Sequence, residues 1–115
     1  MLTAFMLAAI LAQTSPAIHD YRVQFRSRMT AGVTTGELKL TFLNDGYVNG
    51  TYRPDSGGLW RPIHGGYKGN QIWFTISGLY VQATMTDSGI SGVAASTGVG
   101  RRQYLFTATP EASPR

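Results

Sequence analysis

Cysteine is absent from the 115 residues, and histidine, glutamate and lysine occur only twice each. Without cysteine the chain has no disulfide staple, no thiol nucleophile, no thiolate-held zinc and no lipid-bearing N-terminal cysteine. The two histidines, His19 and His64, do not make a metal set, because nothing supplies a third ligand at metal-site spacing. So thin a stock of acid–base side chains argues against an enzyme, and no cofactor is expected. Charge is scarce as well. Only 14% of residues are charged, the net charge is +4, and no run of five basic residues occurs. No aromatics interleave with the arginines of the first polar strand face, so nucleic acid is not an expected partner.

No apolar stretch is long enough to cross a membrane as a helix. Leu2 to Ala12 is the most apolar segment, eleven residues where a span needs about 20. Its length, with Ser15 and Ala17 as small residues beyond it, predicts a signal peptide over residues 1–17 and a periplasmic or secreted product. A retained N-terminal helix packed on the domain is the alternative. The lack of cysteine favours a bacterial type of exported domain, since small eukaryotic secreted scaffolds usually depend on disulfides.

Glycine, in contrast, is plentiful at 14 residues, which suits tight turns between short strands. From residue 18 the hydrophobic pattern has period two. Tyr21, Val23, Phe25 and Ser27 share one face, as do Leu38, Leu40 and Phe42, then Val48, Gly50 and Tyr52. Ile72, Phe74 and Ile76 follow, then Leu79, Val81, Ala83 and Met85, and finally Tyr104, Phe106 and Ala108. Trp60 to Tyr67 is a weaker strand carrying Pro62 and two glycines, as edge or bulged strands do. Turn signals lie at Asn44-Asp45-Gly46, Pro54 to Gly58, Lys68-Gly69-Asn70, Gly78, Asp87-Ser88-Gly89 and Thr97 to Gly100. The result is about eight short antiparallel strands, because parallel pairing would need crossovers for which there is no chain. An up-and-down meander of this size buries its apolar face and removes its edges by closing into a barrel; a two-sheet sandwich is the alternative. Residues 18–109 make the domain and 110–115 a tail. Leu40 to Gly46 also echoes Ala83 to Gly89 at a constant offset, which suggests two four-strand halves.

The segment Gly46-Tyr-Val-Asn-Gly-Thr-Tyr52, on a strand after a hairpin turn, resembles the G-x-L-x-G-T-Y segment of the avidin and streptavidin family. The wider rhythm of apolar strand, D-G or S-G turn, V/I-x-G strand and Gly-Asn-Gln-Ile-Trp-Phe resembles small lipocalin-like barrel domains of bacterial exported proteins. The first resemblance implies an eight-stranded barrel with Tyr52 reaching a ligand. The remaining avidin signatures, an Asn-bearing aromatic first strand and a Trp-x-Gly-Gln, do not occur in this sequence. The barrel is therefore carried over and biotin is not.

Candidate sites follow from what is left. Asp55-Ser56-Gly57-Gly58 resembles the loop around the nucleophile of chymotrypsin-like proteases, but the rest of a triad is missing and the composition is that of a turn. Asp20, Asp45, Asp55 and Asp87 fall at strand ends or turns, not in a paired-carboxylate spacing. Arg22, Arg26, Arg28, Arg101 and Arg102, joined by Lys39, form a basic patch if the first and last strands meet. Trp73, between Ile72 and Phe74, should point outward. Tyr52, Trp60, Tyr67 and Trp73 are the ligand-contact residues expected at a shallow cup, because a small barrel's interior is filled by its own side chains. The expected function is a lipocalin-like binding module for a small apolar or aromatic ligand, or for a protein partner. Inhibition of a secreted hydrolase by a turn such as Pro54 to Gly58 is the alternative.

Overall fold

The computed structural model describes residues 17–97 and 102–111, so nearly all of the expected signal-peptide segment (1–16), the stretch 98–101 with Arg101, and residues 112–115 lie outside the described residues. Eight strands run in order: β1 (Ile18–Ser27), β2 (Val33–Phe42), β3 (Tyr47–Pro54), β4 (Arg61–Lys68), β5 (Gln71–Ile76), β6 (Leu79–Thr86), β7 (Gly89–Ser96) and β8 (Gln103–Pro110). Each pairs antiparallel with its sequence neighbour, and β1 pairs with β8, closing the barrel. The meander and its closure are thus those expected from the period-two pattern. No helix among the described residues is long and apolar enough to cross a membrane.

The inward register is the apolar one. Leu38, Leu40, Ile63, Phe74, Val81 and Phe106 are fully buried, and Val23, Phe25, Val48, Tyr52, Ile72, Ile76, Ala83, Ile90, Ala94 and Ala108 complete the core. Phe106 sits at its centre, 5.2 Å from the Phe25 ring and 5.8 Å from that of Phe74. No charged side chain is buried among the described residues, and the Tyr52 phenol at one end is the core's polar group, so the core carries no buried charge to desolvate. Among the described residues the barrel interior is occupied by these side chains.

Two glycines mark where adjacent strands press together. A Cβ on Gly50 would lie 2.0 Å from the Lys39 carbonyl oxygen, and one on Gly92 would lie 2.1 Å from that of Gln82. Lys39 and Gln82 keep the offset of the internal echo, whereas Gly50 and Gly92 fall one residue out of it because the β6–β7 connection is shorter than the β2–β3 one. The same close strand approach nonetheless recurs in both hairpins, with Gly50 opposite Leu40 and Gly92 opposite Ala83.

β4 departs from the sequence reading. Despite Pro62 and two glycines it is an interior strand, paired with both β3 and β5. A closed barrel has no edge to assign it to. Gly65 admits the neighbouring backbone, since a Cβ there would meet the Trp73 carbonyl oxygen at 1.9 Å. Gly66 is roofed by the Trp73 ring, its cross-strand partner. The end of the chain also differs slightly: β8 runs to Pro110, and the Glu111 N–H donates to the Asp20 carbonyl, at 2.9 Å.

Candidate functional site

Antiparallel strands in strict succession put alternate turns at opposite ends. The β1–β2, β3–β4, β5–β6 and β7–β8 connections crowd one mouth; the other turns share the opposite mouth with the start of β1 and the end of β8. At the first mouth the core opens into a hollow of about 270 Å³, floored by Phe25, Tyr52 and Ile76 and rimmed by Thr34, Ser77, Arg61 and Tyr104. The Phe25 ring meets Tyr52 and Tyr104 edge-on, at 5.8 and 6.2 Å, the orientation that aromatic quadrupoles favour. A second hollow of about 570 Å³ adjoins it, sharing Thr34 and Tyr104 and reaching Met29 and Arg102. Burial pushes the Tyr52 phenol above its ordinary pKa, opposed by the positive charge of Arg61. The rim is fixed by a two-residue turn in which Ser77 (φ 45°) and Gly78 (φ 87°) are both left-handed, the type I′ geometry that matches hairpin twist.

Tyr52 is the one expected contact residue that reaches this hollow. Its three companions are elsewhere, so the four do not form a single cup. Tyr67 lies toward the opposite mouth, where its hydroxyl donates to the Leu43 carbonyl (2.6 Å) and its ring packs on Phe42 (5.2 Å). Trp73 is on the outer wall as its register requires, seated over Gly66. Trp60 is also outside, its ring flanked by Arg53 at 4.9 Å and Lys39 at 5.6 Å. The physical reason is alternation combined with strand end: aromatic residues of opposite parity, or at opposite ends of a strand, cannot converge.

The basic patch is also redistributed. Arg22 pairs with Asp55, Lys39 with Asp20 (2.9 Å) and Arg53 with Glu37 (3.6 Å), so the outer face of β1–β3 alternates in sign. Arg26 and Arg28 stand at the β1–β2 end near Arg102, and Arg101 lies outside the described residues. The protease-like loop is accounted for in the same way: Asp55 accepts from Arg22 and from Thr35 Oγ1 (2.7 Å), and the Gly57 N–H donates to the Pro54 carbonyl at 3.0 Å.

No family model matches the chain, and no curated protein or solved structure matches it. The site is thus read from its own geometry. At the opposite mouth a hollow of about 340 Å³ is lined by His19, Asp20, Asp87 and Glu111 among others. No group of three or more His, Asp or Glu side chains among the described residues has metal-binding geometry. Sequence reasoning missed Phe25 and Tyr104 as mouth residues, although their inward register beside a turn was visible. It also missed Arg61, the one charged strand residue on the inward register among the described residues, paired directly with Tyr52.

The Arg22 ion pair, with the Thr35 hydroxyl second, holds the Asp55 carboxyl below its ordinary pKa. A lowered folded-state pKa gives stability that is present above the unfolded-state value and lost as pH falls through the folded one. The melting temperature of the parent should therefore exceed that of Asp55→Asn at neutral pH by a small margin, and the margin should close on acidification. Thermal unfolding at low salt from pH 7 to below pH 3 checks this; a margin unchanged by pH would remove the ion pair from the account.

Proposed function

We propose that this chain is an exported, non-enzymatic binding module of lipocalin-like barrel type, taking a small apolar or aromatic ligand at the mouth built by Phe25, Tyr52 and Tyr104. The observation that carries this reading is the contrast between a fully packed interior and one aromatic-floored hollow at the mouth, the combination of apolar surface and a few polar groups typical of small-molecule sites. An apolar inside and ion pairs on the outer wall support a barrel that faces water, since a lipid-facing barrel has the reverse arrangement.

The test is a thermal-shift screen of the full chain against small aromatic and aliphatic metabolites. A ligand at about 100 times its Kd adds about 2.7 kcal/mol of stability, well within detection. The stabilisation should disappear in Tyr104→Leu and persist in Trp60→Ala, whose ring lies outside the barrel. Stabilisation lost with Trp60 and kept without Tyr104 would move the site to the outer wall.

A second reading has its own support. The loop from Asp55 to Trp60 presents Leu59, 87% exposed, between anchors at Asp55 and at Trp60. A tethered loop with an apolar tip suits insertion into a hydrolase cleft. Inhibition of a secreted hydrolase lost in Leu59→Asp, with mouth binding unaffected, would establish it.

A further inference from the structure

Building on the mouth-binding reading, we infer that the ligand is an amphiphilic anion, an aromatic or short aliphatic body bearing a carboxylate, sulfonate or phosphate group. The argument rests on where charge remains once the ion pairs are removed. Among the described residues, three carboxylates make no ion pair: Asp45, Asp87 and Glu111. All three lie at the mouth that holds the β2–β3 and β6–β7 turns and the end of β8. Among the described residues the arginines without an ion pair are Arg26, Arg28, Arg61 and Arg102, and all four lie at the aromatic mouth. Lys68 is the one unpaired Lys or Arg among the described residues on the acidic side. Asp55 is at the arginine mouth, but Arg22 and Thr35 take up its charge.

Two of these arginines do more than set a field. Arg61 occupies an inward register position, paired with Tyr52 on β3, and borders the aromatic hollow. Arg102 borders the adjoining hollow, beside Tyr104. An ordinary solvated arginine points away from a barrel's interior, where water is unrestricted. Arginines on the rim of an apolar floor leave donors facing the space a ligand would fill, and their planar forks suit oxyanions. An apolar body on Phe25 with its anionic head between Arg61 and Arg102 uses both surfaces at once.

The probe is a matched pair of dyes: 1-anilinonaphthalene-8-sulfonate and N-phenyl-1-naphthylamine, which share one aromatic body and differ by the sulfonate. Fluorescence titration of the full chain should show the sulfonate binding about fivefold to tenfold more tightly at low salt, the sum of two exposed charge contacts. The advantage should fall away at about 0.5 M salt, where charges are screened within a few ångströms. Arg61→Gln with Arg102→Gln should abolish the sulfonate's advantage over the neutral dye measured on the same variant, and the unfolding curve reports whether the variant is folded. Equal binding of the two dyes by the parent, or an advantage that survives in the double variant, overturns the anion inference and leaves the mouth as a neutral site. Binding of both dyes indifferent to Tyr104→Leu overturns the mouth-binding reading itself. Displacement of the sulfonate by inorganic polyphosphate, equally from parent and Tyr104→Leu, also overturns the inference, since the arginines would then serve a polyanion without an apolar body.

Discussion

Phe106→Ala should lower the unfolding free energy by about 3–5 kcal/mol, a large share of the roughly 5–15 kcal/mol available to a domain of this size. The side chain is fully buried and its ring touches both Phe25 and Phe74. Its removal therefore costs transfer energy, leaves a void, and breaks a chain of ring contacts that joins β8 to β1 and to β5. The barrel relaxes poorly around such a void, because each wall strand is held in register on both sides. Urea unfolding followed by tryptophan emission checks the value through the midpoint at unchanged slope. A loss under 1 kcal/mol would mean that the interior is not packed around Phe106.

Gly92→Val should be nearly as severe, with a loss of about 3 kcal/mol or more, from overpacking instead of a cavity. The new Cβ would stand 2.1 Å from the Gln82 carbonyl oxygen and 2.5 Å from the Ala83 Cα. Both obstacles are backbone, so no side-chain rotation relieves the clash and β6 and β7 must separate. Gly50→Val should behave alike for the same reason, against Lys39. Gly32→Ala is the control: in the β1–β2 turn the added Cβ meets only the Thr30 hydroxyl, at 3.2 Å, and the change should stay within about 0.5 kcal/mol. Equal urea midpoints for Gly92→Val and Gly32→Ala would refute the close strand approach.

The glycines show which parts of this fold can be read from sequence. A bulky substitution on the inward face is expected to overpack the core from alternation alone. The actual obstacle, a carbonyl of the next strand, depends on how sharply the barrel wall turns and has no one-dimensional trace. Strands were legible where inward positions are apolar, as in Ile72-Trp73-Phe74 and Tyr104-Leu105-Phe106. β2 was legible only from Glu37 onward, because its earlier inward positions are Thr34 and Gly36, and Thr34 faces the open mouth. The site was harder still. Tyr52 was found through its resemblance-bearing segment, whereas Trp60 and Trp73 attracted notice as large aromatics although one is held by cations and the other covers a glycine. Arg61 was readable in principle as a charge on the inward parity, but that parity was obscured by Pro62 and the glycines of β4.

Ring closure gives the eight ladders unequal roles during folding. Seven are hairpins between sequence neighbours, whereas the β1–β8 seam joins residues as distant as Tyr21 and Pro110. Closing a loop that long costs roughly 2 kcal/mol more than closing a hairpin, so the seam is the natural last step and the slow one. Until it forms, β1 and β8 are both open edges, and the outer side of β8 exposes Leu105 with no charged residue on the strand to repel a second chain. The interval before closure is thus the one in which two nascent copies can zip onto each other in place of closing on themselves.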